Sequence, residues 1–207
     1  MPVEVDQDQR LAEIARATIE VARERGPRGV TLRSVADRLG RSTAFITNYV
    51  PSRAQLMVNA LERAQRNWST ERAEWLEGRS GLQRLAELAR WMCTSSADDQ
   101  TLRALWIEAI ADVKGAARDA YEVVRSTTDS TYDEFLRSAE ATAHERAKAI
   151  ADILYLYCRG FHVKTVEDPQ AWTGERVNHT LEYLLQVLLS SADAQVSTPP
   201  ASSAVER

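Results

Sequence analysis

A chain of 207 residues that is 44% hydrophobic and 27% charged is long enough for a small domain followed by a larger one with a well-formed core. Its two cysteines, Cys93 and Cys158, stand far apart in helical patterns, which excludes a disulfide framework and makes buried free thiols the expectation. The N-terminus has no basic-then-apolar leader and no apolar run is long enough to span a bilayer, so a reducing cytoplasm and no membrane partner are expected.

No stretch alternates apolar and polar residues long enough for a sheet, so the expected fold class is all-α. Residues 1–8 are acidic and expected to be a disordered arm. A first helix runs from about Gln9 to Arg25, with Leu11, Ile14, Ala15, Thr18, Ile19 and Ala22 on one stripe. Gly26 stops it and Pro27 prevents its continuation. Thr31 is a good cap for a second helix, Ser42 or Thr43 opens a third, and Pro51 ends that one. Ser52 caps a long helix from Arg53 to about Glu77, with Leu56, Ala60, Leu61, Ala64, Trp68 and Trp75 in helical rhythm.

The break at Gly78–Gly81 is followed by helices from Gly81 to about Ser95, from Asp99 to Val113 and, after Gly115, from about Ala116 to Ala141. Two last helices cover about Ala143–Val166 and Thr173–Ser190. A tail from Asp193 to Arg207, with Pro199-Pro200 and several Ser and Ala, is expected to be disordered. The expected division is therefore an arm at 1–8, a three-helix head at 9–52, a helical body at 53–192 and a tail at 193–207.

The segment Thr31–Leu56 carries the most information. Ala36 is small enough to let two helices approach, Gly40 can take the left-handed backbone that ends the first, and Ile46 plugs the second into it. Val35, Leu39 and Tyr49 fill the other inward positions. Thr43, Ala44, Phe45, Thr47 and Asn48 are left facing outward, where a helix-turn-helix meets base edges in the major groove. The spacing alone also fits a structural helical hairpin. The outward face tips the balance, because it carries hydroxyls, an amide and an apolar ring, and no acid. Charge points the same way. Residues 9–55 hold nine Arg against Glu13, Glu20, Glu24 and Asp37, a local charge of +5, which leaves −9 on the rest of the chain.

This segment resembles the TetR (tetracycline repressor) family. The matching residues are the Thr31-led helix with inner Ala36, the turn Gly40-Arg41-Ser42, and the junction Tyr49-Val50-Pro51-Ser52-Arg53 followed by Leu56. Arg41, Thr43 and Val50 depart from the family pattern at places that bear on which DNA sequence is read. The resemblance implies a homodimer that binds a double-stranded operator and is released by a small apolar or amphipathic effector. Thr43, Ala44, Phe45, Thr47 and Asn48 would touch bases, and Thr31, Arg33, Ser42, Tyr49 and Arg53 would hold phosphates. The stretch Leu105–Tyr121 is also similar, more weakly, to the choline-betaine pathway repressor subgroup, which names no ligand for this chain.

In the body, large rings at helical spacing are core formers first and pocket walls second. Trp68, Trp91, Met92, Trp106, Ile110, Tyr121, Tyr155 and Phe161 are the candidate ligand-binding residues. The last two helices read as a symmetric seam, with Ile153, Tyr157, Leu181, Leu184, Leu185 and Leu188 as candidate dimer contacts. His144, His162 and His179 have no metal-ligand spacing, and there is no phosphate loop or nucleophile elbow, so no enzymatic activity, metal or cofactor is expected. Two other readings stay open: a helical protein-interaction module, and a ligand-independent DNA binder or activator.

Overall fold

The computed structural model describes residues 7–94, 97–111, 118–142 and 146–196. Within them lie nine α-helices and no strand: α1 Gln7–Arg25, α2 Leu32–Leu39, α3 Thr43–Thr47, α4 Arg53–Trp75, α5 Gly81–Met92, α6 Ala97–Ala111, α7 Arg118–Glu140, α8 Ala147–Glu167 and α9 Gly174–Val196. The all-α expectation holds. The break expected at Gly115, His144, residues 1–6 and the tail beyond Val196 lie outside the described residues.

Local chemistry sets the helix starts in the first third of the chain. At the head of α2, Thr31 Oγ1 accepts from the Ser34 N–H at 3.0 Å and Ser34 Oγ accepts from the Thr31 N–H at 2.9 Å, a reciprocal cap that satisfies two orphan donors. Gly40 ends α2 at φ 60° and ψ 35°, a conformation that is costly for any residue with a Cβ. Ser42 Oγ accepts from the Phe45 N–H and Ser52 Oγ from the Gln55 N–H, each at 3.2 Å, which opens α3 and α4.

Of the boundaries that differ from expectation, three bear on the head and the two ends of the chain. α3 stops at Thr47 instead of running to Pro51, because the Tyr49 and Val50 N–H groups both turn back to the Ile46 carbonyl, at 3.0 and 2.8 Å. The first helix already includes Gln7 and Asp8, and the Asp8 carboxylate is held by Arg63 of α4 at 2.5 Å, so the arm gives way to helix earlier than its acidity suggested. The last helix continues to Val196, into the stretch expected to be tail.

The buried apolar residues form two clusters. One joins the head to the body: Ile14, Val21, Val35, Ile46, Val50, Leu56 and Met57 pack with Leu102, Leu105 and Ala109 of α6 and Val124 of α7. The other fills the far end, with Leu85 and Leu88 of α5, Phe135 of α7, Leu154 and Cys158 of α8, and Leu181 and Leu185 of α9. Each fully buried Leu or Ile contributes about 2 kcal/mol by removal from water. Cys93 and Cys158 are free and buried, as expected, but the fold brings their sulfurs to 3.7 Å across 65 residues of sequence. The hydrogen bond from Cys93 and burial push the Cys158 thiol well above its usual range, so Cys158 stays protonated and inert.

Candidate functional sites

The outward face of the head is built by two short helices locked at fixed angles. Ile46 is wholly buried, as are Val35 and Ala36 of α2, so α3 is held rigidly although it has little more than one turn. Thr31, Arg33, Ser42, Thr43, Ala44, Thr47 and Asn48 are all exposed around this face. The Thr47 hydroxyl bonds the Ala44 carbonyl at 3.1 Å, leaving its oxygen lone pairs outward. No carboxylate lies among these residues, so the face repels no phosphate.

Two head residues have partners within the chain that the sequence did not announce. Phe45 is not a free outward ring. It is half-buried against the head core, with the Tyr49 ring 5.4 Å away and the Arg41 guanidinium 5.2 Å from its centre. A phenyl ring beside a shallow core gains more by packing than by standing in water, and Arg41 is set on top of it. Arg41 is thereby a neighbour of the reading face that sequence reasoning had noted only as a departure.

Arg53, expected on a phosphate, makes three hydrogen bonds within the protein. Its Nε donates to the Val30 carbonyl at 3.0 Å, and its Nη2 donates to the Pro27 carbonyl and to Glu108 Oε1, both at 3.1 Å. One side chain therefore fastens the start of α4, the turn before α2 and helix α6. The sequence could not reveal this, because Glu108 lies 55 residues away and reads as a solvated acid.

A cavity of about 180 Å³ opens in the body between α4, α5, α6, α7 and α8. Five of the expected ligand residues line it: Trp68, Trp91, Met92, Trp106 and Tyr155. Three do not. Phe161 is buried in the far core, Ile110 packs against the head-side core, and Tyr121 lies outside the lining. Helical rhythm finds which face of a helix is apolar, but not whether that face meets a neighbour or a void.

The polar part of the lining was not foreseen. Arg72, Arg103, Arg159 and His162 reach the cavity, with Thr127, Thr128 and Thr131 of α7. The guanidiniums lie against rings: Arg159 is 3.5 Å from the centre of Trp106, Arg103 is 4.6 Å from Phe161, and Arg72 is 5.6 Å from Trp91. Arg72 also pairs with Glu134 at 2.8 Å, and Arg103 donates to the Thr94 carbonyl at 2.7 Å. Burial lowers Arg159 to about 10. Burial, with Arg103 and Arg159 nearby, lowers His162 to about 3, so its ring is neutral at physiological pH. With the Met92 carbonyl 2.9 Å from its Nε2, that nitrogen carries the proton and donates.

At the far end, the expected seam residues divide by depth. Leu181 and Leu185 are 0% and 2% exposed within a single chain, so they belong to its own core. The Tyr157 hydroxyl donates to the Val177 carbonyl at 2.8 Å and is likewise turned inward, and burial raises its pKa to about 12. Leu184 and Leu188 are half-buried at the edge. Of the expected residues, Ile153 is a large exposed hydrophobic, and the fold adds Leu156 on α8 and Tyr183 and Val187 on α9 as further exposed ones. Gly160 follows on the same α8 face, with open space where a Cβ would stand.

Solved structures share this architecture over nearly their whole length. A transcriptional regulator from Rhodococcus sp. Rha1 aligns with a TM-score of 0.76 at 19% identity, covering 91% of this chain and 99% of its own. A regulator from Saccharomonospora viridis in complex with choline aligns at 0.74 and 15% identity, covering 86% and 96%. A TetR-family regulator from Rhodococcus sp. aligns at 0.71 and 19% identity, covering 87% and 99%. No protein-family model and no curated protein matches the chain. The likeness shows the fold: the all-helical fold of TetR-type regulators.

Proposed function

We propose that the chain is a cytoplasmic, dimeric transcriptional regulator that binds a pseudo-palindromic DNA site through its head and is released when a small molecule fills the body cavity. The observation that carries this reading is the exposed, acid-free face from Ser42 to Asn48, held rigidly by buried Ile46. Short hydroxyls and one amide on a helix that projects from its support suit base edges and phosphates. Thr43, Ala44, Thr47 and Asn48 read bases in this proposal, with Thr31, Arg33, Ser42 and Tyr49 on the phosphates. Residues 9–52 act as the head and 53–192 as the body.

Two helices connect the cavity to the head. α4 lines the cavity with Trp68 and Arg72 and begins at Arg53, about 22 Å up the helix from Trp68 at 1.5 Å per residue. α6 lines it with Arg103 and Trp106 and carries Glu108, the partner of Arg53. A ligand that wedges α4 from α6 strains this pair and tilts the head. DNA affinity falls by as much as the ligand prefers the tilted form. The choline found with the Saccharomonospora relative supports a small-molecule role for this fold.

A second copy of the chain completes the reading unit. One helix-turn-helix reads too few base pairs for useful specificity, and paired heads read half-sites about 34 Å apart. Ile153, Leu156, Tyr183 and Val187, exposed by 43%, 67%, 68% and 48%, form the apolar face such a dimer would cover.

Selection of genomic DNA fragments by the purified protein tests the reading. An enriched inverted repeat is expected, and Asn48→Ala should relax the preference at one base pair per half-site, by about 1–3 kcal/mol. A chain that enriches no fragment is a protein-interaction module instead. Leu156→Glu should leave the fold intact and yield monomers in sedimentation; a persisting dimer would remove α8 from the seam.

A further inference from the structure

The cavity itself says which charge it accepts. Among its described lining residues are three guanidiniums, Arg72, Arg103 and Arg159, and a single carboxylate, Glu71, which is exposed. Arg72 is matched by Glu134, whose side chain is 15% exposed. Arg159 is different. Among the described residues it forms no ion pair and no hydrogen bond, and its guanidinium rests on the face of Trp106. A half-buried cation without a counter-ion costs free energy that a ring face offsets only in part. His162 adds no positive charge, the threonines of α7 are neutral, and Trp68, Trp91, Leu102 and Met92 supply an apolar part of the wall.

We propose that the effector of this cavity is a small organic carboxylate, an apolar body about the size of one aromatic ring whose carboxylate pairs with Arg159. The proposal rests on the regulatory reading above and names its ligand class. Arg159 presents a planar fork that matches a carboxylate with two parallel hydrogen bonds. The cavity volume of about 180 Å³ is slightly above the roughly 150 Å³ of an engineered cavity that takes up benzene, so one ring with a short acidic arm fits. A quaternary ammonium is disfavoured twice. It needs open ring faces, but guanidiniums lie against Trp106 and Trp91, and it would add a positive charge beside Arg159 and Arg103. In ligand class this chain therefore parts from the choline-bound regulator whose fold it shares.

Three near-isosteric probes decide the point: phenylacetate, phenylacetamide and benzyltrimethylammonium, titrated at pH 7 by calorimetry and by the fluorescence of Trp68, Trp91 and Trp106. Phenylacetate should bind saturably and at least ten-fold more tightly than either other probe. Arg159→Gln should abolish that margin while leaving phenylacetamide unchanged, and Arg159→Lys should restore part of it. Amide or ammonium binding as tight as the carboxylate, no saturable phenylacetate binding, or an Arg159→Gln variant that binds phenylacetate like the parent overturns the proposal. If Arg159→Gln does not fold, the three-probe comparison on the parent protein still decides. DNA release is scored separately. Arg159-dependent binding that leaves DNA affinity unchanged removes the regulatory reading and keeps the carboxylate site. Release of DNA by the ammonium probe does the reverse.

Discussion

The head and the cavity use the same side chain in opposite ways. In the head, Arg33 and Arg41 stand at the surface around short polar groups. In the body, Arg103 is buried and Arg159 half-buried, each packed against a ring. Exposed guanidiniums attract a polyanion over a distance and lose that pull as salt screens it. Those packed against rings feel less screening and select a discrete anion that can follow them partly out of water. Arg53 belongs to neither group: it holds the two regions together through Glu108, Pro27 and Val30.

The largest test separates the regions by packing. Ile46→Ala removes a wholly buried plug beneath α3 and should cost about 2–5 kcal/mol. DNA binding should be lost while phenylacetate still titrates the body tryptophans. Equal loss of both in thermal melts and titrations would show that the shared core of α4 and α6 makes head and body one cooperative unit.

A smaller effect examines the link. Arg53→Gln breaks three hydrogen bonds and leaves Glu108 without its partner, at about 1–3 kcal/mol. Because Arg53 is directed inward, the slope of log affinity against log salt should stay as in the parent, while ligand-driven release of DNA weakens. A slope reduced by about one would put Arg53 on a phosphate after all.

The smallest effect concerns pH and the cavity alone. His162 is lowered to about 3 in the folded chain, against an ordinary value near 6.5. Between those values the unfolded chain takes up a proton that the folded chain refuses, so stability is complete above pH 6.5 and falls as pH falls. From pH 7 to pH 5 the loss should be about 1–2 kcal/mol, read as a lower melting temperature. His162→Gln should flatten this dependence; a parent protein with no such slope would mean that the ring is solvated.

Much of the head was legible because its signals are local. Thr31, Gly40, Ser42 and Ser52 act on backbone groups within a few residues, and Ala36 and Ile46 pair across one short turn. The cavity was half legible. Trp68, Trp91, Met92, Trp106 and Tyr155 announce a large apolar interior, but Phe161, Ile110 and Tyr121 carry the same signal and do not line this cavity. Likewise Leu181 and Leu185 share a stripe with Leu184 and Leu188, yet only depth separates core from seam.

The helices, their caps, the turn at Gly40 and the acid-free face beyond it follow from neighbours along the chain and were readable there. Only the tertiary structure decided that Arg53 meets Glu108 and that Arg159 lies over Trp106. It also decided that Cys93 meets Cys158, and that Leu156 and Tyr183 stay outside. Those facts depend on which helix faces pack together across tens of residues. A charge or a ring carries no mark of its distant partner until the chain has closed around both.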